Sequence, residues 1–195
     1  AAIGVAQKAA GFAIMPLIGL IMGAQPLIGY NYGARNFARM KRTLVQAMAL
    51  GVGITTPLWL VVVLFPDAFA HLFGLPDQYL AATAWALVAY LLFIPLIPIQ
   101  SIGSNYFDAT GQALKATVLT LTRQILFLIP LLVFAPQVLP QHFPITPLQC
   151  VFLAPSLSDV ASLLAVLVFL GFEFRRLRRL VAQEEGKGLS AVRVR

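Results

Sequence analysis

Long apolar runs separated by short polar stretches make up most of the chain. Five runs reach the roughly 20 residues that a helix needs to cross a bilayer. They cover about residues 1–30, 44–65, 79–103, 116–134 and 150–174. The separators carry turn chemistry: "FPDAFAHLFGLPDQ" at 65–78, "FDATGQALK" at 107–115 and the proline-rich "APQVLPQHFPITP" at 135–147. The pattern predicts an all-α integral membrane protein, a bundle of five transmembrane helices over residues 1–174. A basic tail, 175–195, follows it.

Composition supports the bilayer as solvent. The chain is 59% hydrophobic and 11% charged, where soluble domains hold about 45–50% apolar and about 25% charged residues. A net charge of +7 could point to nucleic acid. The basic residues instead collect at the ends of apolar runs, which favours membrane lipid as the partner and no nucleic acid. The single Cys150 allows neither a disulfide framework nor a cysteine metal cluster, and no metal site is expected.

Charge also predicts orientation. Arg35, Arg39, Lys41 and Arg42 fill the first connection, whereas 66–78 holds no Lys or Arg. Lys115 marks the third connection, 135–149 has no Lys or Arg, and the tail opens with Arg175, Arg176, Arg178 and Arg179. The positive-inside rule then places the C-terminus in the cytoplasm and the first residue outside, in a multi-pass protein of the inner (plasma) membrane. An odd number of spans with an outward start and no signal peptide leads us to expect a fragment. The tail is expected to be a helix end resting on anionic lipid.

The stretch "GAQPLIGYNYGARNFARMKR" (23–42) passes within twenty residues from apolar to strongly basic. Pro26 removes one helical hydrogen bond, tolerable in a membrane helix whose neighbours satisfy the freed carbonyl. Gly29 and Gly33 permit tight backbone geometry, and Tyr30 suits the interface. Asn31 can cap or cross-link the backbone. Arg35, Arg39 and Arg42 recur at helical spacing as a basic face. Gln25 completes a turn expected to pin a pivoting helix to the membrane surface, with direct substrate contact as the other possibility.

Ionisable residues inside spans cost roughly 2.5 to 3.5 kcal/mol at the bilayer centre, so each is a functional candidate. Lys8 in the first run either snorkels to the interface or pairs with a carboxylate. Arg123 sits in the fourth run with Thr117, Thr120 and Gln124 at helical spacing, a polar stripe expected to face protein. Asp159, flanked by Ser158 and Ser162, stands in the last run. Two roles are open to it: carrier of the coupling ion, or partner of Arg123 or Lys8 in a static ion pair. On the third run Gln100, Ser104 and Asp108 form an i, i+4, i+8 stripe after Pro95 and Pro98, a candidate cavity wall on a kinked helix. Met15, Phe12, Tyr90 and Phe93 could offer soft aromatic contact to a lipophilic cation.

The segment "MPLIGLIMGAQPLIGYNYGARNFARMKR" (15–42) resembles the eighth helix of the multidrug and toxic compound extrusion (MATE) family and its connection to the ninth. "GSNYFDATGQALKATVLTLTRQILFLIPLLV" (103–133) is similar to the end of the tenth helix and most of the eleventh, and "LAPSLSDVASLL" (153–164) to the twelfth. Asp108 departs from the family pattern, where an uncharged Gln is expected. The resemblance implies helices eight to twelve of a two-lobe, twelve-helix exporter, with the N-terminal lobe as a missing partner. It implies proton or Na⁺ entry coupled to export of amphipathic, often cationic small molecules, with no cofactor beyond the transported ion.

No Walker A, HExxH or Ser/His pair lies in a span, and both histidines fall in connections, so the chain is not read as an enzyme. Two alternatives to drug export stay open: a flippase of lipid-linked substrates with similar construction, and a non-transporting scaffold or inactive half-transporter.

Overall fold

The computed structural model describes residues 2–66, 68, 71, 80–142 and 146–193, and its described residues are helices and turns without strands. In chain order these are α1 (Ala2–Gly33), α2 (Phe37–Leu64), α3 (Leu80–Leu91), a 3₁₀ turn (Ile94–Leu96) and α4 (Ile97–Ala109). Next come α5 (Ala113–Leu121), a π-helical segment (Thr122–Leu128), α6 (Ile129–His142) and α7 (Pro147–Arg193). Five stretches are long and apolar enough to span a bilayer: Gln7–Gly33, Phe37–Leu64, Leu87–Ala109, Ala113–Gln141 and Gln149–Arg179. The third joins α3 to α4, and the fourth runs from α5 through the π segment into α6. The molecule is a multi-pass membrane protein.

Several boundaries differ from those expected. The second helix begins at Phe37 rather than near 44, because Asn36 caps it: its Oδ1 accepts the Arg39 backbone N–H at 3.1 Å. The proline-rich stretch after 134 stays helical to His142, with Pro136 and Pro140 inside the helix. Each proline removes only one N–H donor, and in a bilayer helical pairing remains the least costly state for the rest of the backbone. The fifth helix does not stop at Phe174 but continues to Arg193. Most of the 65–78 connection, with Asp67 and Asp77, lies outside the described residues.

Two of the turns share one geometry. After α4, Gly111 takes φ 74°, the Gln112 N–H reaches the Phe107 carbonyl at 2.7 Å and the Gly111 N–H reaches Asp108 at 3.1 Å. This is a Schellman motif with glycine in its left-handed position. After α1 the same bonds recur, Asn36 to Asn31 at 2.9 Å and Arg35 to Tyr32 at 3.0 Å, but the left-handed residue is Arg35, φ 57°. The turn therefore uses Arg35, not Gly33, for its special backbone. Arg35 leaves the helical face expected to carry it together with Arg39 and Arg42. Asn31 bonds back within α1, donating to the Leu27 carbonyl at 2.7 Å, and the capping asparagine is Asn36.

α4 is the packing centre, touching α1, α2, α5 and α7. Ile102, Tyr106 and Phe107 are fully buried on it. Glycines bring its neighbours close, as small residues do between membrane helices. A Cβ on Gly51 of α2 would stand 2.7 Å from Pro98 Cβ, and one on Gly103 would stand 2.6 Å from Val166 Cγ1 of α7. One on Gly29 of α1 would meet the Ala109 carbonyl oxygen at 2.9 Å. Of the turn glycines, Gly29 alone sits in such a close approach; Gly33 has open space.

Candidate ion-coupling site

The polar stretch "SLSDVAS" (156–162) lies inside the fifth span, and its polar side chains reach three neighbouring segments. The Ser156 hydroxyl lies 2.7 Å from the Ala89 carbonyl oxygen and 3.0 Å from that of Tyr90. Those carbonyls belong to the last turn of α3, where the chain breaks before Pro95 and helical partners run out. Ser158 donates to the Arg123 carbonyl at 3.1 Å. Ser162 accepts from Gln100 Nε2 of α4 at 2.8 Å. All three serines are about 99% buried.

Asp159 completes the set. Its Oδ1 accepts Arg123 Nε at 2.9 Å and stands 2.6 Å from an Nη of the same guanidinium. The Asp159 side chain is 11% exposed and the Arg123 side chain 39%. Charge in this region is thus balanced within the protein, as an intramembrane carboxylate requires. Of the two partners that the sequence offers Asp159, the structure supplies Arg123; Lys8 is exposed on α1.

Beside the pair opens a cleft of about 270 Å³. Gln100, Ser104 and Asp108 line it from α4, and Thr120, Arg123 and Gln124 from the fourth span. The expected stripe on the third span does share one wall. Gln100 is 93% buried, and its buried Oε1 has no hydrogen-bond partner among the described residues. Met15 and Tyr90 do not line it: Met15 is 73% exposed on α1, and Tyr90 sits half-buried beside the α3 break. Thr117, Thr120 and Gln124 are all exposed; the last two border the cleft and Thr117 does not. No group of three or more His, Cys, Asp or Glu that could hold a metal occurs among the described residues.

A family model described as MatE matches residues 1–134. The chain belongs to the MatE family. Solved MATE structures share its fold. A crystal structure of MATE in complex with MaL6 superposes with TM-score 0.80 at 17% identity, over 91% of this chain and 39% of that one. The MATE multidrug transporter DinF-BH, solved as a complex, gives TM-score 0.74 at 27% identity, over 90% and 37%. An outward-facing multidrug resistance MATE transporter of the MOP superfamily gives 0.78 at 18%, over 91% and 38%. The chain therefore spans less than two fifths of the MATE structures it matches. No curated protein compared with it matches.

One charged residue of this MatE chain escaped the sequence reading. Glu173 is 97% buried near the basic end of the fifth span. Its carboxylate takes Gln112 Nε2 at 3.1 Å, Lys115 Nζ at 3.2 Å and Arg176 at 3.5 Å. Next to it, Lys41 of α2 stands 5.2 Å from the centre of the Phe174 ring, within cation–π range. Two lysines from different helices thus converge on consecutive residues of α7. The signal was present in "GFEFRR", an acid inside the apolar run, but the adjoining arginines disguised it as part of the tail.

Proposed function

We propose that the chain forms most of the C-terminal lobe, helices eight to twelve, of a MATE exporter that couples proton or Na⁺ entry to expulsion of amphipathic, often cationic compounds. The observation that carries this reading is the Arg123–Asp159 pair at the edge of the polar cleft. Neutralising or displacing the carboxylate by the coupling ion would free Arg123 toward a cleft that Asp108 also lines. A change in the ion is thereby turned into a change in what the cleft attracts. Alternating access, in which the two lobes rock about a central cavity, would present the cleft to each side in turn.

The basic α1–α2 turn and the basic run after Phe174 lie at the ends of spans one and five that the positive-inside rule assigns to the cytoplasm. In this reading Glu173, fixed by three donors, is an anchor and not an ion carrier. The cleft is small and bordered by one acid, Asp108, and one base, Arg123, which favours drug export over a flippase needing a large basic cavity. Efflux of fluorescent cationic dyes from cells expressing the whole transporter tests the reading. Active efflux that Asp159→Asn abolishes, with protein still in the membrane, is the expected result. Absence of efflux for every dye tried would favour the flippase or the scaffold instead.

A further inference from the structure

Arg123 sits in the π-helical segment Thr122–Leu128, a form that is rare, occurs mostly as single turns within α-helices and is frequent at functional sites. Consecutive residues of α7 grip this one residue twice. Ser158 takes its carbonyl and Asp159 its guanidinium. We propose that this double grip holds the fourth span in its π register, and that releasing Arg123 from Asp159 returns the segment to α geometry and turns α6 about its axis.

Three features make such a turn feasible. First, the helix beyond the π segment packs chiefly against α7, and few of its side chains are fully buried: between Thr122 and His142 only Ala135 is. An apolar groove of about 510 Å³, lined by Leu126, Pro130, Phe134 and Leu157 among others, runs along its junction with α7. Rotation would change the face that α6 lays on α7 while leaving the central core around α4 closed. Second, Pro130 lies two residues past the end of the segment. With no N–H it leaves one carbonyl unpaired in either register, that of Ile125 in π spacing and that of Leu126 in α spacing. The hydrogen-bond count at that point therefore does not oppose the change. Third, the inner half is held independently: Ala116 and Leu119 of α5 are buried, and Lys115 is tied to Glu173. Motion would be confined to the half beyond Arg123.

The size of the motion follows from helix geometry. A π turn accommodates one residue more than the α-helix around it. Resolving it rotates everything beyond by about one residue, about 100°, and shifts it by about 1.5 Å. Ser158 is then a positioning residue for the ion pair: it sets the backbone of Arg123 so that the guanidinium meets Asp159. The device depends on the ion pair that the proposed function also uses, but its readout is helix register, not transport.

Nitroxide labels placed singly at residues 131–135 and 137–139 of the protein in lipid bilayers would test it. Their accessibility to dissolved oxygen oscillates with helix period. Asp159→Asn is expected to advance the phase of that oscillation by about 100°, while labels at 113–121 keep theirs. Ser158→Ala, which leaves both charges in place, is expected to move the phase the same way but less, and Ser158→Thr to restore it. Deleting Ile125, which is 57% exposed, removes the extra residue; in that background Asp159→Asn should no longer shift the phase. A phase unmoved by both Asp159→Asn and Ser158→Ala would overturn the proposal. An advance that persists after the deletion would overturn it equally.

Discussion

α4 and the fourth span cross the same membrane by opposite means. Half of the most apolar stretch of the third span, which ends in α4, is buried, against 11% for the fourth. α4 is fixed by shape: Gly51 and Gly103 admit it closely to α2 and α7, and its large side chains fill the centre of the bundle. Beyond α5 the fourth span packs chiefly against α7, with few fully buried side chains. Its middle is fixed instead by Ser158 and Asp159 acting on a single residue. Packing in close contact resists graded change, whereas a polar grip can be released by one charge. The difference teaches where movement can be built into a helix bundle whose centre is closely packed.

Substitutions on the two sides should separate sharply. Gly51→Val would place side-chain atoms where Pro98 Cβ already stands 2.7 Å from an ideal Cβ. We expect a loss of about 3 kcal/mol, the upper end for overpacking, read as a lower thermal midpoint in detergent. A neutral result would mean that α2 and α4 are not in close contact and would dissolve the comparison. Glu173→Ala comes next. It removes the acceptor of Gln112 and Lys115 and should lower stability by about 2 kcal/mol, measured the same way. Glu173→Gln, which keeps the shape and one acceptor, is expected to lose less. Smallest is Phe134→Ala on α6, 60% exposed, for which a change within about 0.5 kcal/mol is expected. A loss comparable to that of Gly51→Val would show α6 to be closely packed after all.

The sequence made the five spans legible, because runs of apolar residues report directly on the bilayer. Asp159 and Arg123 were legible for the same reason: a charge inside such a run stands out by its cost. Their partnership was legible only as one of two pairings, with Arg123 or with Lys8, since residue spacing gives depth in the membrane but not the direction each helix turns. Gln100, Ser104 and Asp108 could be placed on one face because four-residue steps fix that face. Met15 and Tyr90 could not be placed in the cleft, because sulfur and aromatic rings in an apolar run look alike whether they face lipid, protein or cavity. Glu173 was hidden by its arginine neighbours. The left-handed Arg35 was hidden by Gly33, which supplies the residue type expected there two positions early. The π segment has no sequence signature at all; it follows from what Ser158 and Asp159 do to Arg123 across the helix interface.

The most direct test is gradient-driven dye transport by the purified whole transporter in liposomes. Wild type would be compared with Asp159→Asn and with the charge-free double variant Asp159→Asn/Arg123→Gln. If the carboxylate itself meets the ion, Asp159→Asn abolishes ion-driven transport and removing Arg123 as well does not bring it back. That is the predicted result. Recovery of transport in the double variant would contradict it, and would reduce the pair to a structural balance of charge within the bundle.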